Sequence, residues 1–229
     1  MIKKQPSPFH QPRVAQILIV DDHPMVRERL EEVIRRHADL HVCGQTGDAT
    51  HARQLIETAK PDLAIVDIAL KQSDGLDLIK DLRVQAPQLL ILVVSMYEES
   101  LYGERALRAG AHGYINKQEA TRNIVTAIRR ILNGETYISE QLAQTLAARV
   151  VGRPAVKPTT ALSALSDREL QVFTLIGEGH TVSHVGAILH VANSTVETHR
   201  DRIREKLNLP DANAVLRAAI AWRQTAAAA

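Results

Sequence analysis

A single cysteine, Cys43, stands in the 229 residues, so no intramolecular disulfide can form. No stretch approaches the ~18 consecutive apolar residues that a membrane-spanning helix needs. The opening residues, Met1 to Arg13, carry Lys3, Lys4 and Arg13 among Pro6, Pro8 and Pro12, with no apolar segment ahead of a small-residue cleavage site. They read as a flexible tail (1–14) rather than as a targeting signal. Charge bias is also missing, since Lys plus Arg exceeds Asp plus Glu by 28 − 26 = 2, too little to argue for nucleic acid by itself. The ten histidines show no metal-ligand spacing, and Cys43 reads as a small core residue. These absences predict a cytoplasmic chain without membrane association, and leave any claim of DNA binding to a motif.

What is present suits two ordinary domains, because 229 residues can bury two cores and the 24% charged and 45% hydrophobic content is that of a folded, soluble chain. From Gln16 to about Asn133, short β-branched runs alternate with segments of helical period, the pattern of βαβ units on a parallel sheet. Strands are predicted at Ile17 to Val20, His41 to Cys43, Leu63 to Val66, Leu90 to Val94 and Gly113 to Ile115. Helices are predicted near Met25 to Arg36, Ala52 to Thr58, Leu76 to Arg83, Leu101 to Ala109 and Ala120 to Leu132, the last with Ile124, Ile128 and Ile131 on one stripe. Residues 15–133 thus form an α/β domain with a doubly wound, five-stranded parallel sheet of flavodoxin-like type. Residues 134–161 have linker composition, with Gly152, Pro154 and Pro158 following one helix at Gln141 to Val151. Residues 162–224 show only helical period, predicting a four-helix, all-α domain, with a short tail at 225–229.

Polar chemistry collects at the strand ends: Asp21 and Asp22 after the first, Asp67 after the third, Ser95 after the fourth and Lys117 after the fifth. In an open α/β sheet these carboxyl ends converge on one crevice. Three crowded carboxylates resist ionisation unless a cation compensates, and a hard divalent ion, most simply Mg2+, accepts such a donor set. Asp67 could then act as a carboxylate nucleophile toward phosphorus, with the metal, the Ser95 hydroxyl and the Lys117 ammonium holding the three phosphoryl oxygens. Taken singly these residues are ordinary, for an Asp pair after a strand often caps a helix. The order of all five is what carries the reading.

The stretches ILIVDDHP, LAIVDIAL, LVVS and GYINK resemble the receiver domain of two-component response regulators. That resemblance implies Asp67 as phosphoacceptor, Mg2+ held by Asp22, Asp67 and the carbonyl of Ala69 with Asp21 completing the acidic pair, and Ser95, Lys117 and Tyr114 as phosphoryl-binding and switch positions. Lys71 departs from the proline common there. On phosphorylation Ser95 would move inward and Tyr114 would rotate into the vacated space. Ala69 cannot orient an attacking water and Tyr97 is placed to cover the phosphoryl group, so a long-lived phosphorylated state is expected.

In the C-terminal part, Ser166 and Glu169 form an S-x-x-E capping box ahead of Leu170, Phe173 and Ile176, with Gly177 or Gly179 closing the helix. A short helix at Val182 to Leu189, a turn at His190 to Ala192 and a longer helix from Asn193 to Leu207 give the helix-turn-helix layout. The spans LSDRELQVFTLIGEG and STVETHRDRIREKLNL resemble the LuxR-type DNA-binding domain, and the whole chain is similar to NarL/FixJ-type response regulators. Two positions depart from the pattern, His184 and Ala192, and Asn193 is the substitute cap for the recognition helix. DNA-facing candidates are Ser194, Thr195, Glu197, Thr198, Arg200, Asp201 and Arg202, with Arg204 and Lys206 in the same basic cluster. Arg149, Arg153 and Lys157 of the linker are further phosphate contacts. The last helix, with Val215, Ala218, Ala219 and Trp222, is the expected dimerisation element.

The resemblance implies a sensor histidine kinase as phosphodonor, double-stranded DNA as ligand, a homodimer when phosphorylated or DNA-bound, and RNA polymerase as a possible further partner. It implies no enzyme beyond self-phosphorylation and dephosphorylation. From the residues alone an Asp-nucleophile phosphatase and a helical interaction adaptor stay open. The first would want an acidic residue where Ala69 stands. The second is favoured by charge, since 162–224 holds seven Lys/Arg against seven Asp/Glu.

Overall fold

The structure, a computed structural model, describes residues 14–70, 73–150 and 161–228. Lys71, Arg153, Lys157 and the tail before residue 14 lie outside them, as does the side chain of Arg149. The N-terminal domain runs β1 (Ala15–Val20), α1 (Pro24–Arg35), β2 (Leu40–Thr46), α2 (Ala49–Ala59), β3 (Leu63–Val66), a small hairpin of β4 (Ala69–Leu70) and β5 (Ser73–Asp74), α3 (Gly75–Gln85), β6 (Leu90–Ser95), α4 (Glu99–Ala109), β7 (Gly113–Asn116) and α5 (Lys117–Leu132). Five strands pair in parallel in the order β2-β1-β3-β6-β7, the doubly wound arrangement expected, with a reversal of winding between β1 and β3.

Alternation along the central strands divides the core in two. Ile17, Ile19, Ile65, Leu92 and Val94 face Leu30 and Ile34 of α1 and Ile124, Ile128 and Ile131 of α5. Leu18, Val20, Ala64, Val66, Ile91 and Val93 face α2, α3 and α4. Both faces are covered, which is why these strands read as unbroken apolar runs. The β4/β5 hairpin escapes the sequence pattern because each arm is two residues long. It matters for position: a Cβ on Gly75 would lie 2.3 Å from the carbonyl oxygen of Asp67, so only glycine lets α3 start against the end of β3.

Past α5 the chain stays on this domain. Tyr137 bridges to Gly113 at the edge of β7, and α6 (Glu140–Val150) lays Leu142 against Gly103 of α4. The C-terminal domain comprises a 3-10 turn (Ala161–Ala164), α7 (Asp167–Gly177), α8 (Val182–Leu189), α9 (Asn193–Lys206) and α10 (Ala212–Ala228), whose backbone carries the helix into the segment expected as a tail. The capping box at Ser166 and Glu169 is formed. Asn193, however, does not cap α9. Ala192 occupies the cap position without a side-chain bond, and the Asn193 side chain instead lies against Gly186 in the tight turn. Gly177 performs a similar service for α10, whose Ala219 carbonyl would be 2.7 Å from a Cβ there.

Candidate functional site

Parallel register brings the predicted strand-end residues together. Val20 pairs with Val66 and Val66 with Val93, so Asp21, Asp67 and Ser95 leave the sheet at one edge, and Ser95 pairs with Asn116 just before Lys117. Asp21, Asp67 and Ser95 are 2%, 1% and 0% exposed. The Lys117 ammonium lies 2.6 Å from Asp67 Oδ2 and 2.7 Å from Asp21 Oδ2. The other Asp67 oxygen accepts the Ala69 amide at 3.0 Å. Burial pushes the Asp67 carboxyl upward, Lys117 opposes that, and Asp21 adds to it. Burial alone would lower the Lys117 ammonium, but the Asp67 and Asp21 carboxylates outweigh it and hold its proton. Three carboxylates against one ammonium leave a formal charge of −2, a deficit that one divalent cation would balance.

His23 belongs to this cluster and the sequence reading gave it no role. One donor atom each from Asp21, Asp22, His23 and Asp67 fall within 4.8 Å of one another, and His23 Nδ1 is 2.7 Å from Asp22 Oδ1. The signal was present in the DDHP run, where the residue ahead of the helix-starting proline must turn back over the strand end.

The switch positions Ser95 and Tyr114 both meet the β6–α4 turn at Tyr97. Tyr114 is already inward, 2% exposed, its hydroxyl donating to the Tyr97 carbonyl at 2.7 Å. A buried phenol needs an acceptor, and the β6–α4 turn supplies one. Ser95 Oγ accepts the Tyr97 amide at 3.2 Å. Tyr97 reaches the C-terminal domain with its side chain. Its ring stacks on Tyr102 of α4 at 4.7 Å and on Trp222 of α10 at 5.7 Å, and its hydroxyl donates to Glu178 at 3.0 Å. Burial, then Tyr102 and Glu178, raise this phenol well above the usual range, keeping it a donor.

Those contacts dock the two domains. Tyr102 shares a 2.9 Å hydrogen bond with Thr174, and Arg105 reaches both Asp167 (2.6 Å) and the Leu165 carbonyl (2.7 Å). None was legible from the sequence, since each partner has an adequate local reading.

On α9, Ser194, Glu197, Thr198, Asp201 and Arg202 are exposed with the domains docked, whereas Thr195 and Arg200 are half-buried. The basic cluster is divided by its partners. Arg200 gives Glu197 two 2.9 Å hydrogen bonds, and Lys206 is tied at 2.6 Å to the buried Glu169 of the capping box. Burial raises the Glu169 carboxyl, but Lys206 and Ser166 outweigh it and hold it below its ordinary value. Arg202 is the exposed cation of α9 that makes no ion pair among the described residues. On α10 the expected dimerisation residues divide likewise. Val215 and Ala219 are fully buried against their own domain, Ala218 is half-buried, and Trp222 is engaged with Tyr97 and Phe173. The apolar side chains that α10 offers outward are Leu216 and Ile220.

Among the described residues no helix is long and apolar enough to cross a membrane. Residues 17–129 match the response regulator receiver domain family and 163–219 the luxR family of bacterial regulatory proteins. The chain is 32% identical to the response regulator GacA of Pseudomonas aeruginosa over 85% of its own length and 90% of that protein. It is 31% identical to the oxygen regulatory protein NreC of Staphylococcus carnosus, over 85% and 91% of the two chains. Among solved structures, a LuxR-family two-component response regulator from Aurantimonas sp. SI85-9A1 is 33% identical with a TM-score of 0.55, covering 60% of this chain and 99% of that one. RcsB of Salmonella enterica, bound to promoter P1flhDC in the presence of BeF3-, shares the fold at 22% identity and a TM-score of 0.72, over 90% and 98% of the chains. Receiver pocket, helix-turn-helix and these likenesses agree: the chain is a DNA-binding response regulator of the NarL/FixJ family, a receiver joined to a LuxR-type domain.

Proposed function

We propose that Asp67 is the phosphoacceptor and that its phosphorylation controls DNA binding and dimerisation by the C-terminal domain. The observation that carries this is the Asp67 carboxylate, buried, within hydrogen-bond distance of Lys117 and beside Asp21 and Asp22. Mg2+ fits the donor set: Asp21, Asp22, Asp67 and the Ala69 carbonyl would hold it, and when bound it supplies charge neutralisation for the incoming phosphoryl group. An Asp67 oxygen attacks phosphorus in line, the P–N bond of a phosphohistidine on the sensor kinase breaks, and the leaving imidazole takes a proton from solvent. Lys117 and Ser95 then bind phosphoryl oxygens as donors.

The DNA-facing set is Ser194, Thr195, Glu197, Thr198, Arg200, Asp201 and Arg202, with the exposed N-terminal half of α9 in the major groove. RcsB has been solved as two dimers on two parallel DNAs. For this chain a homodimer on two half-sites uses the outward side of α10, Leu216 and Ile220, since Val215 and Ala219 are spent inside the domain. RNA polymerase is the partner through which the bound dimer would act on transcription. The test is incubation with phosphoramidate and Mg2+ followed by intact-mass measurement: one phosphoryl mass is expected on the native chain and none on Asp67→Asn. Full labelling of that variant refutes the assignment.

A further inference from the structure

We infer that His199 is a DNA-backbone contact of α9, its imidazole held in one tautomer by the packing of α9 on α7 so that Nε2–H donates to a phosphate oxygen. The inference rests on the proposal that α9 enters the major groove, and adds an uncharged anchor at the edge of that helix. His199 stands one helical turn from Thr195 and from Arg202, both in the DNA-facing set, on the flank of α9 turned toward Arg168 and Glu169 of α7. The residue is partly exposed, yet Nδ1 is enclosed and has no hydrogen-bond partner among the described residues. A hydrogen on Nδ1 would be a buried donor without an acceptor, whereas a bare lone pair there costs less. The proton therefore resides on Nε2, the edge of the ring left open to solvent.

The ring is also kept neutral. Burial, then Arg202 and Arg168, lower its pKa below the ordinary histidine value, with Glu169 opposing them. Protonation would put a hydrogen on the enclosed Nδ1 beside two guanidinium groups, so geometry and charge act in the same direction. Arg168 is itself fixed, donating to the Leu189 carbonyl at 2.5 Å and to Gln171 at 2.9 Å, and cannot turn away. An outward N–H flanked by cations is built to meet an anion. On a duplex, the anion at the flank of a groove-bound helix is the phosphate ridge, and neutral donors make many of the hydrogen bonds to it. Such a contact adds affinity without releasing a counterion. It suits a domain whose Lys/Arg and Asp/Glu balance over residues 162–224.

The full chain is titrated with a random-sequence duplex at several salt concentrations and neutral pH, and its histidines are labelled with nitrogen-15 for NMR. His199→Gln, whose amide N–H can stand where Nε2–H stands, is expected to bind within about twofold of native. His199→Asn, whose shorter amide reaches only the Nδ1 position, should lose about tenfold, the worth of one hydrogen bond to a charged group. Its slope of log affinity against log salt should equal the native slope, whereas Arg202→Ala reduces that slope by about 1. In the native chain the His199 signals, assigned by their loss in His199→Gln, should be those of the neutral Nε2–H tautomer and should shift when duplex is added. That readout stands even where a variant does not fold. An Nδ1–H or charged ring, or signals that duplex leaves in place, overturns the inference. So does native affinity in folded His199→Asn, or an equal loss in both folded His199 variants. If Arg202→Ala also leaves affinity and slope unchanged, the placement of α9 in the groove falls with it; a normal Arg202 effect beside an inert His199 removes this anchor alone.

Discussion

Asp74 offers a quantitative test of how the hairpin is held. Its carboxylate caps α3, accepting the amides of Leu76 at 2.7 Å and Asp77 at 3.0 Å, yet burial, with Asp77 adding, raises its pKa from 3.8 to about 6. The folded value exceeds the unfolded one, so the native state binds more protons between these two pH values. Stability therefore falls as pH rises through that window, and the full penalty is present above about pH 6. A rise of this size corresponds to at most about 3 kcal/mol. Because the side chain keeps partial exposure, solvent screening reduces this to about 1–2 kcal/mol. Asparagine caps helices as well as aspartate does and carries no charge to desolvate. We expect Asp74→Asn to stabilise the chain by about 1–2 kcal/mol at pH 7.5 and to be neutral at pH 4. Urea denaturation followed by circular dichroism at both pH values measures the difference. A variant destabilised alike at both, or stabilised by the same amount at both, refutes the reasoning.

Lys117→Ala should retain part of the labelling by phosphoramidate and lose the rise in DNA affinity that follows, since the ammonium orients the phosphoryl group; a normal response in a gel-shift titration counts against it. Lys206→Met should lower stability by about 1–2 kcal/mol by leaving Glu169 without its cation, and adding Glu169→Gln should recover most of the loss in thermal unfolding. Arg202→Ala should weaken binding to all sequences alike and reduce the slope of log affinity against log salt by about 1. Glu197→Ala should relax preference at one base pair per half-site in a selection from random duplexes, because a carboxylate accepts from cytosine N4. The bonds from Arg200 orient that carboxylate, so unchanged preference at every position would show that the pair is only structural.

Much of the fold was legible in the chain because its signals are local. The β1 and β3 runs, the stripe of Ile124, Ile128 and Ile131, the capping box at Ser166 and the span of α8 each follow from nearest-neighbour chemistry, and the strand-end carboxylates follow from the rule that such ends converge. The same local reasoning erred where a residue had two adequate partners. Asn193 could cap α9 or fill the turn beside Gly186, and the tight approach of the two helices decided it. Val215 and Ala219 look like an interface stripe, yet the close contact at Gly177 spends them inside the domain. Tyr97 and Trp222, 125 residues apart, have no sequence signal for one another. An aromatic ring is satisfied by any apolar face, so composition and period set that these rings would be buried, and only the packing of one domain on the other decided which rings would meet.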